Sequence, residues 1–270
     1  FTIGDQISEV FLYHSNINQE VLEWKISKAK KNTSLLGNTE NQKTQLEIKK
    51  LEKLRSNPPK ATSKEAKNFS WDRSVDMLRL VKIPDADRIA KSYPHELSGG
   101  MRQRAMIAMA LSMQPDILIA DEATTSLDVT TQAQILKLLS DLRTTIGSTI
   151  LIITHDLGII AQVCSRVAVM YAGTIVEVAS TKELFVKPQH PYTQGLLKAV
   201  PKITGVQVEL TGIPGSVPDL ISPPSGCRFH PRCSHAIKLC ELEVPHNIET
   251  SDGHLVNCNL YGDERKEVEG

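Results

Sequence analysis

Two adjacent carboxylates, Asp121 and Glu122, close the short apolar run "ILIADE". A carboxylate at a strand end can hold a hydrated Mg²⁺. A second, one residue on and pointing elsewhere, can polarise a water for attack on a phosphoryl group. The next apolar run, "STILIITHD", leads to His155, whose imidazole could hold a terminal phosphate or that water. Upstream, Ser98-Gly99-Gly100 precedes a run of strong helix formers. A serine hydroxyl and free N–H groups at the positive end of a helix make an anion site. Each feature has an ordinary explanation as well. Asp-Glu suits a helix start, a histidine at a strand end can be structural, and Ser-Gly-Gly can be a plain N-cap. Their joint occurrence on consecutive elements points to phosphoryl transfer, which needs mainly positioning and charge stabilisation.

A loop that grips phosphate is missing from this set. The G-x-x-x-x-G-K-[ST] pattern needs a glycine directly before a lysine, and none of the 15 glycines stands there. The chain opens on Phe1 in mid-pattern. We therefore expect a fragment of a longer protein, with its phosphate loop upstream.

The elements that must position these residues can be read from periodicity. Ile3, Ile7, Val10 and Phe11 have helical spacing over residues 1–14. Residues 15–67 read as a basic insertion, partly helical and partly flexible, with 12 Lys/Arg against 4 Asp/Glu between Lys25 and Lys67. Such a segment can touch membrane headgroups or a partner, or simply be solvated. Residues 68–115 read as a helical subdomain around Ser98–Gly100, and 116–185 as an α/β core. There, "DILIADE", "STILIITHD" and "RVAVMYA" alternate with helices, the first of which places Ile135, Leu138, Leu139 and Leu142 on one face. Near-continuous apolar strands alternating with helices predict a parallel sheet covered on both faces. Residues 186–270 are proline-rich and read as a loop-rich extension with little core of its own.

"LSGGMRQR", "ILIADEATTSLD" and "THD" resemble, in order and spacing, the signature, Walker B with D-loop, and switch histidine of ATP-binding-cassette (ABC) ATPases. "HPYTQGLLKAVP", "IPGSVPDL" and "GCRFHPRCSHA" resemble the C-terminal extension of the ATPase subunits of dipeptide, oligopeptide and nickel importers. The resemblance covers residues 1–14 and 71–260. It implies a partial P-loop NTPase (RecA-like) α/β fold with a helical signature subdomain and a metal-binding extension. It also implies that Ser98, Gly99, Gly100 and Gln103 contact ATP held by a partner. Asp121 would serve Mg²⁺ through water, Glu122 would be the general base, His155 the switch residue and Asp128 the D-loop aspartate. Ala123 and Ser126 depart from the family pattern without removing a chemical group.

The implied partners are a second ABC ATPase subunit in a homo- or heterodimer, integral-membrane permease subunits and, indirectly, an extracytoplasmic substrate-binding protein. The implied place is the cytoplasmic face of the membrane, with ATP-driven import of peptides or nickel. The alternatives are a non-transport ABC ATPase or an inactive, partner-binding fragment. Balanced charge, 31 basic against 31 acidic residues, gives no global field for nucleic acid. No apolar run approaches the ~20 residues of a membrane span.

Four of the five cysteines lie together as Cys227-x5-Cys233-x6-Cys240-x17-Cys258. Four thiolates on a proline-rich coil can enclose one metal centre. The resemblance implies a [4Fe–4S] cluster, with Zn²⁺ as the alternative. Cys164 is expected to stand apart.

Overall fold

The computed structural model describes residues 1–14, 16–33, 38–125, 127–199 and 212–262. The chain divides into two compact units, residues 1–153 and 154–270. The division falls directly after the second strand, inside the stretch expected to form one α/β core.

The first unit is mostly helical. Helix α1 (Ile3–His14) buries Ile3, Ile7 and Phe11, as its spacing predicts. The basic insertion forms two helices, α2 (Ile17–Thr33) and α3 (Asn38–Glu52). Its "TSLLG" stretch lies largely outside the described residues. Helix α4 (Ser63–Leu80) begins well before Trp71 because Thr62 and Glu65 form a capping box. A short helix α5 (Ala86–Ile89) leads to α6 (Gly99–Leu111). The N-terminus of α1 is fixed by backbone bonds from Ile3 and Gly4 to the carbonyls of Ser92 and Ala90. A Cβ on Gly4 would sit 2.6 Å from the Trp71 ring, so only glycine allows this approach.

Strands β1 (Ile117–Asp121) and β2 (Thr149–Ile153) pair in parallel, with Asp121 opposite Ile153. Helix α7 (Val129–Ile146) is the crossover between them and buries Ile135, Leu138, Leu139 and Leu142. The strands are covered on one face only. Leu118 and Ala120 are buried, whereas Ile117 and Ile119 are about 60% exposed, which corrects the expectation of burial on both faces.

The third apolar strand also departs from expectation. Among the described residues β3 (Arg166–Tyr171), which follows helix α8 (Leu157–Val163), does not extend the parallel pair. It pairs antiparallel with β4 (Thr174–Ser180) through a two-residue turn in which Ala172 and Gly173 both have positive φ. That turn matches the right-handed twist of a hairpin. Helices α9 (Thr181–Val186) and α10 (Pro191–Lys198) follow.

The extension then returns through the short helix α11 (Leu239–Leu242) to a second hairpin, β5 (Asn247–Ser251) and β6 (His254–Asn257). The sheet order is β3-β4-β6-β5. Val167, Val169, Tyr171, Leu184 and Phe229 form its core, with Phe229 edge-on to Tyr171 at 5.1 Å between ring centres. The extension thus has more core than its composition suggests, because it completes a sheet begun by β3 and β4. No described helix is long and apolar enough to cross a membrane.

Candidate functional site

In the first unit, Ser98 is the N-cap of α6, and its hydroxyl accepts the Met101 N–H at 3.4 Å. Ser98 and Gly99 are exposed and Gly100 is partly so. The cap leaves the first N–H groups of a 13-residue helix facing outward, a geometry suited to an anion. Gln103 lies half-buried one turn on.

Gly100 is also a packing requirement: a Cβ there would sit 2.6 Å from the Thr131 methyl, whereas one on Gly99 would meet Leu127 at an ordinary 3.4 Å. Helix α7 therefore starts against the start of α6. Asp128 caps α7, accepting the Thr131 N–H at 2.9 Å and the Thr131 hydroxyl at 2.6 Å. The Thr131 hydroxyl, followed by its backbone N–H, holds the Asp128 carboxyl below the usual carboxylate range. One residue, Thr131, thus touches both Asp128 and Gly100.

Asp121 and Glu122 are both exposed at the end of β1. The Glu122 N–H donates to the Ile153 carbonyl at 3.0 Å, which extends the parallel ladder by one bond. Glu122 has a φ of +47°, a left-handed conformation that is costly for a residue with a Cβ. It turns the side chain out of the strand's alternation. The Thr125 hydroxyl donates to the Glu122 carboxylate, and the Thr125 N–H donates to the Glu122 carbonyl at 3.1 Å. Ser126 lies outside the described residues.

His155 belongs to the second unit, exposed between β2 and the Asp156 cap of α8. Asp156 accepts the Gly158 and Ile159 N–H groups, so the residue after His155 is fixed by an ordinary helix start.

All five cysteines are free thiols. Cys227, Cys233, Cys240 and Cys258 gather in the second unit, where the Cys227 N–H donates to the Cys240 carbonyl at 2.8 Å. Gly226, at φ +61°, makes that approach possible, because a Cβ there would lie 2.4 Å from the Cys240 carbonyl oxygen. Burial, and then the neighbouring thiols, push the Cys258 thiol up to about 12. Burial likewise raises Cys227 and Cys233. Yet among the described residues no group of three or more His, Cys, Asp or Glu side chains is placed to hold a metal ion. The [4Fe–4S] or Zn²⁺ centre expected on these four cysteines is therefore not supported by the described residues, although their thiols lie near enough to influence one another. Cys164 stays apart as expected, at the end of α8, and burial raises its thiol too.

One polar cluster escaped sequence reasoning. Glu177 on β4 is buried with both carboxylate oxygens engaged, by the Gln189 and His190 N–H groups at 2.7 and 3.0 Å and by His254 Nε2 at 2.8 Å. Its members are scattered from residue 177 to 254, and no local pattern links them.

Comparison with known proteins adds the family. Residues 8–125 match the family model described as ABC transporter, and residues 176–240 match the model described as oligopeptide/dipeptide transporter, C-terminal region. The chain is 51% identical over 204 residues to the dipeptide transport ATP-binding protein DppD of Bacillus subtilis, covering 76% of this chain and 61% of that one. It is 41% identical over 266 residues to the oligopeptide transport ATP-binding protein AppD of the same organism, covering 98% of this chain and 66% of that one. Among solved structures, cbiO1 from Clostridium perfringens is 33% identical, covering 47% of this chain and 48% of that one, at a TM-score of 0.41. The chain thus spans roughly three-fifths of the length of these curated relatives. On these matches, the chain belongs to the family of ABC transporter ATP-binding subunits that includes those dipeptide and oligopeptide transport proteins.

Proposed function

We propose that this chain is the ATP-hydrolysing subunit, or a large part of it, of an importer for dipeptides or oligopeptides. The observation that carries the reading is the pairing of a capped, glycine-opened helix at Ser98–Gly100 with two exposed carboxylates, Asp121 and Glu122, in one unit. Nickel as the transported substrate remains within the resemblance, but the relatives named above are named for peptides.

In this reading Ser98, Gly99, Gly100 and Gln103 contact the nucleotide. Asp121 would hold Mg²⁺ through water, Glu122 would take the proton of the attacking water, and His155 would bind the terminal phosphate. Asp128 would face the second ATPase subunit. Mg²⁺, when bound, would offset charge on the phosphates. Every residue assigned to Mg²⁺ and nucleotide is exposed or half-buried, as groups that meet a ligand must be. The 270 residues contain no Gly-Lys pair, so the phosphates must be gripped by another segment or another subunit. Permease subunits at the cytoplasmic face of the membrane are the proposed anchors.

Nucleotide binding provides the test. The isolated 270-residue chain is expected to bind ATP more weakly than the micromolar range. Mixing it with an ABC subunit that has an intact phosphate loop should produce ATP-dependent association, and Ser98→Arg should abolish that association. Tight ATP binding by the isolated chain, or association indifferent to Ser98→Arg, would overturn the reading.

A further inference from the structure

The basic insertion presents one face that the proposed ATPase role does not use. On α3, Leu46, Lys49, Lys50 and Lys53 recur at helical spacing, and all four are exposed. The Lys53 N–H bonds to the Lys49 carbonyl at 3.3 Å, so the helical turn carries past the end of α3. The opposite side of α3 is committed, with Ile48 buried and Glu52 ion-paired to Lys30 at 2.8 Å.

The neighbouring carboxylates are engaged by other cations: Glu23 of α2 pairs with Arg55, and Glu65 and Asp72 of α4 pair with Lys25 and Lys28 of α2. Lys49, Lys50 and Lys53 form no ion pair among the described residues, and one exposed acid, Glu47, flanks them. The hairpin is also held in place. The Trp24 ring packs edge-on to Phe69 of α4, and Asn18 accepts the Ala61 N–H at 2.9 Å. A fixed scaffold therefore displays an unneutralised triad of ammonium groups beside an exposed leucine.

We propose that this α3 face is a docking surface for an anionic lipid bilayer. The chemistry selects that occupant. Lysine stems can lie along the acyl boundary while their ammonium groups reach phosphate and carboxylate headgroups. Leu46, 61% exposed one turn before the triad on the same helix face, supplies the apolar contact that a purely electrostatic partner would not need. The face carries no arginine fork and no aromatic ring, the groups that nucleic-acid surfaces use for bidentate and stacking contacts. The surface complements the proposed membrane location, but its test needs no nucleotide, so it can fail or succeed independently of the ATPase reading.

The experiment is co-sedimentation of the intact chain with vesicles of roughly 30 mol % phosphatidylserine in phosphatidylcholine, against pure phosphatidylcholine, at about 0.1 M salt. Binding is expected to the anionic vesicles only and should disappear at about 0.5 M salt. Replacing Lys49, Lys50 and Lys53 together by Gln should weaken it roughly a hundredfold, about fivefold per lysine. Leu46→Ser should weaken it with the charges intact. A matched triple change, Lys60→Gln, Lys64→Gln and Lys67→Gln, removes the same charge from other exposed positions and should cost much less. Unchanged helical circular dichroism serves as the folding control for each variant. No binding to the anionic vesicles, equal losses in the two triple variants, or capture of an acidic protein without vesicle binding would overturn the proposal.

Discussion

Glu177 of β4 and His254 of β6 meet at 2.8 Å with side chains 0% and 1% exposed, in the core of the second unit. Only two residue pairs register β4 against β6, so this contact, with the Gln189 and His190 N–H groups on the same carboxylate, ties the last hairpin to the sheet. Glu177→Gln keeps the volume but replaces an accepting oxygen by an amide NH₂, leaving a buried N–H without an acceptor. The expected cost is about 2 kcal/mol. Hydrogen exchange of the 254–257 strand should speed up by roughly thirtyfold. Unchanged protection there would show that the carboxylate is not the tie.

His190 gives the second unit a pH dependence of definite sign. Burial lowers its pKa from 6.5 to about 4, partly opposed by Glu177. Its Nδ1 accepts the Tyr192 N–H at 3.0 Å, which the neutral ring alone can do. Below pH 6.5 the unfolded chain takes up a proton that the folded chain refuses. Stability from this residue is therefore complete above pH 6.5, falls as pH drops toward 4, and levels off below that. The full span is about 3 kcal/mol. His190→Asn keeps an acceptor at the helix cap and should flatten the curve between pH 6.5 and 4 in denaturant titrations. A curve of unchanged slope would assign the dependence to other groups.

Much of the first unit was legible because its determinants are local. Ile135, Leu138, Leu139 and Leu142 recur on one helix face and are buried. Ser98 and Asp128 stand where N-caps are chemically favoured, and both cap helices. The misses share a cause: they depend on partners distant in sequence. "RVAVMY" is apolar enough for a parallel strand, yet its alternation, with Val167, Val169 and Tyr171 buried between exposed neighbours, fits a one-sided antiparallel sheet. That choice became visible only when β6, about 80 residues on, was seen beside β4. The gathering of four cysteines was readable from spacing, but whether their side chains surround an ion depends on angles that spacing does not contain. The Glu177 cluster left no trace in any local pattern.

Glu122 combines backbone strain with the carboxylate proposed as the general base. Its φ of +47° costs on the order of 1 kcal/mol in a non-glycine residue. Glu122→Gly should therefore stabilise the first unit by about 1 kcal/mol while removing the carboxylate. Glu122→Gln retains the strain and the shape but not the basicity. Measured in an assembled transporter that hydrolyses ATP, both variants should lose about 10²–10⁴-fold in turnover, with nucleotide still bound. Opposite movements of stability and activity in Glu122→Gly are the signature of strain kept for chemistry. Turnover within twofold of the parent in Glu122→Gln would remove Glu122 from the role of base.

The contact between Gly100 and Thr131 can be tested by removing it from either side. In Gly100→Ala the new methyl would lie 2.6 Å from the Thr131 methyl, closer than carbon atoms tolerate. The starts of α6 and α7 must then move apart, at a cost of about 1–3 kcal/mol typical of overpacking. Thr131→Ser deletes only the opposing methyl and keeps the hydroxyl that donates to Asp128, so by itself it should change stability little. In the double variant the two methyl changes compensate, and most of the loss should return. Trp24 and Trp71, the only tryptophans, both lie in the first unit, so their fluorescence in denaturant reports its unfolding. A coupling energy of at least 1 kcal/mol between the two changes is expected. Simple additivity would mean that Gly100 is free to accept a side chain and that the two helix starts are not in register through this contact. Thr131→Val completes the set. It keeps a β-branched side chain but loses the hydroxyl, and should raise the Asp128 carboxyl toward its ordinary range, whereas Thr131→Ser should leave it depressed.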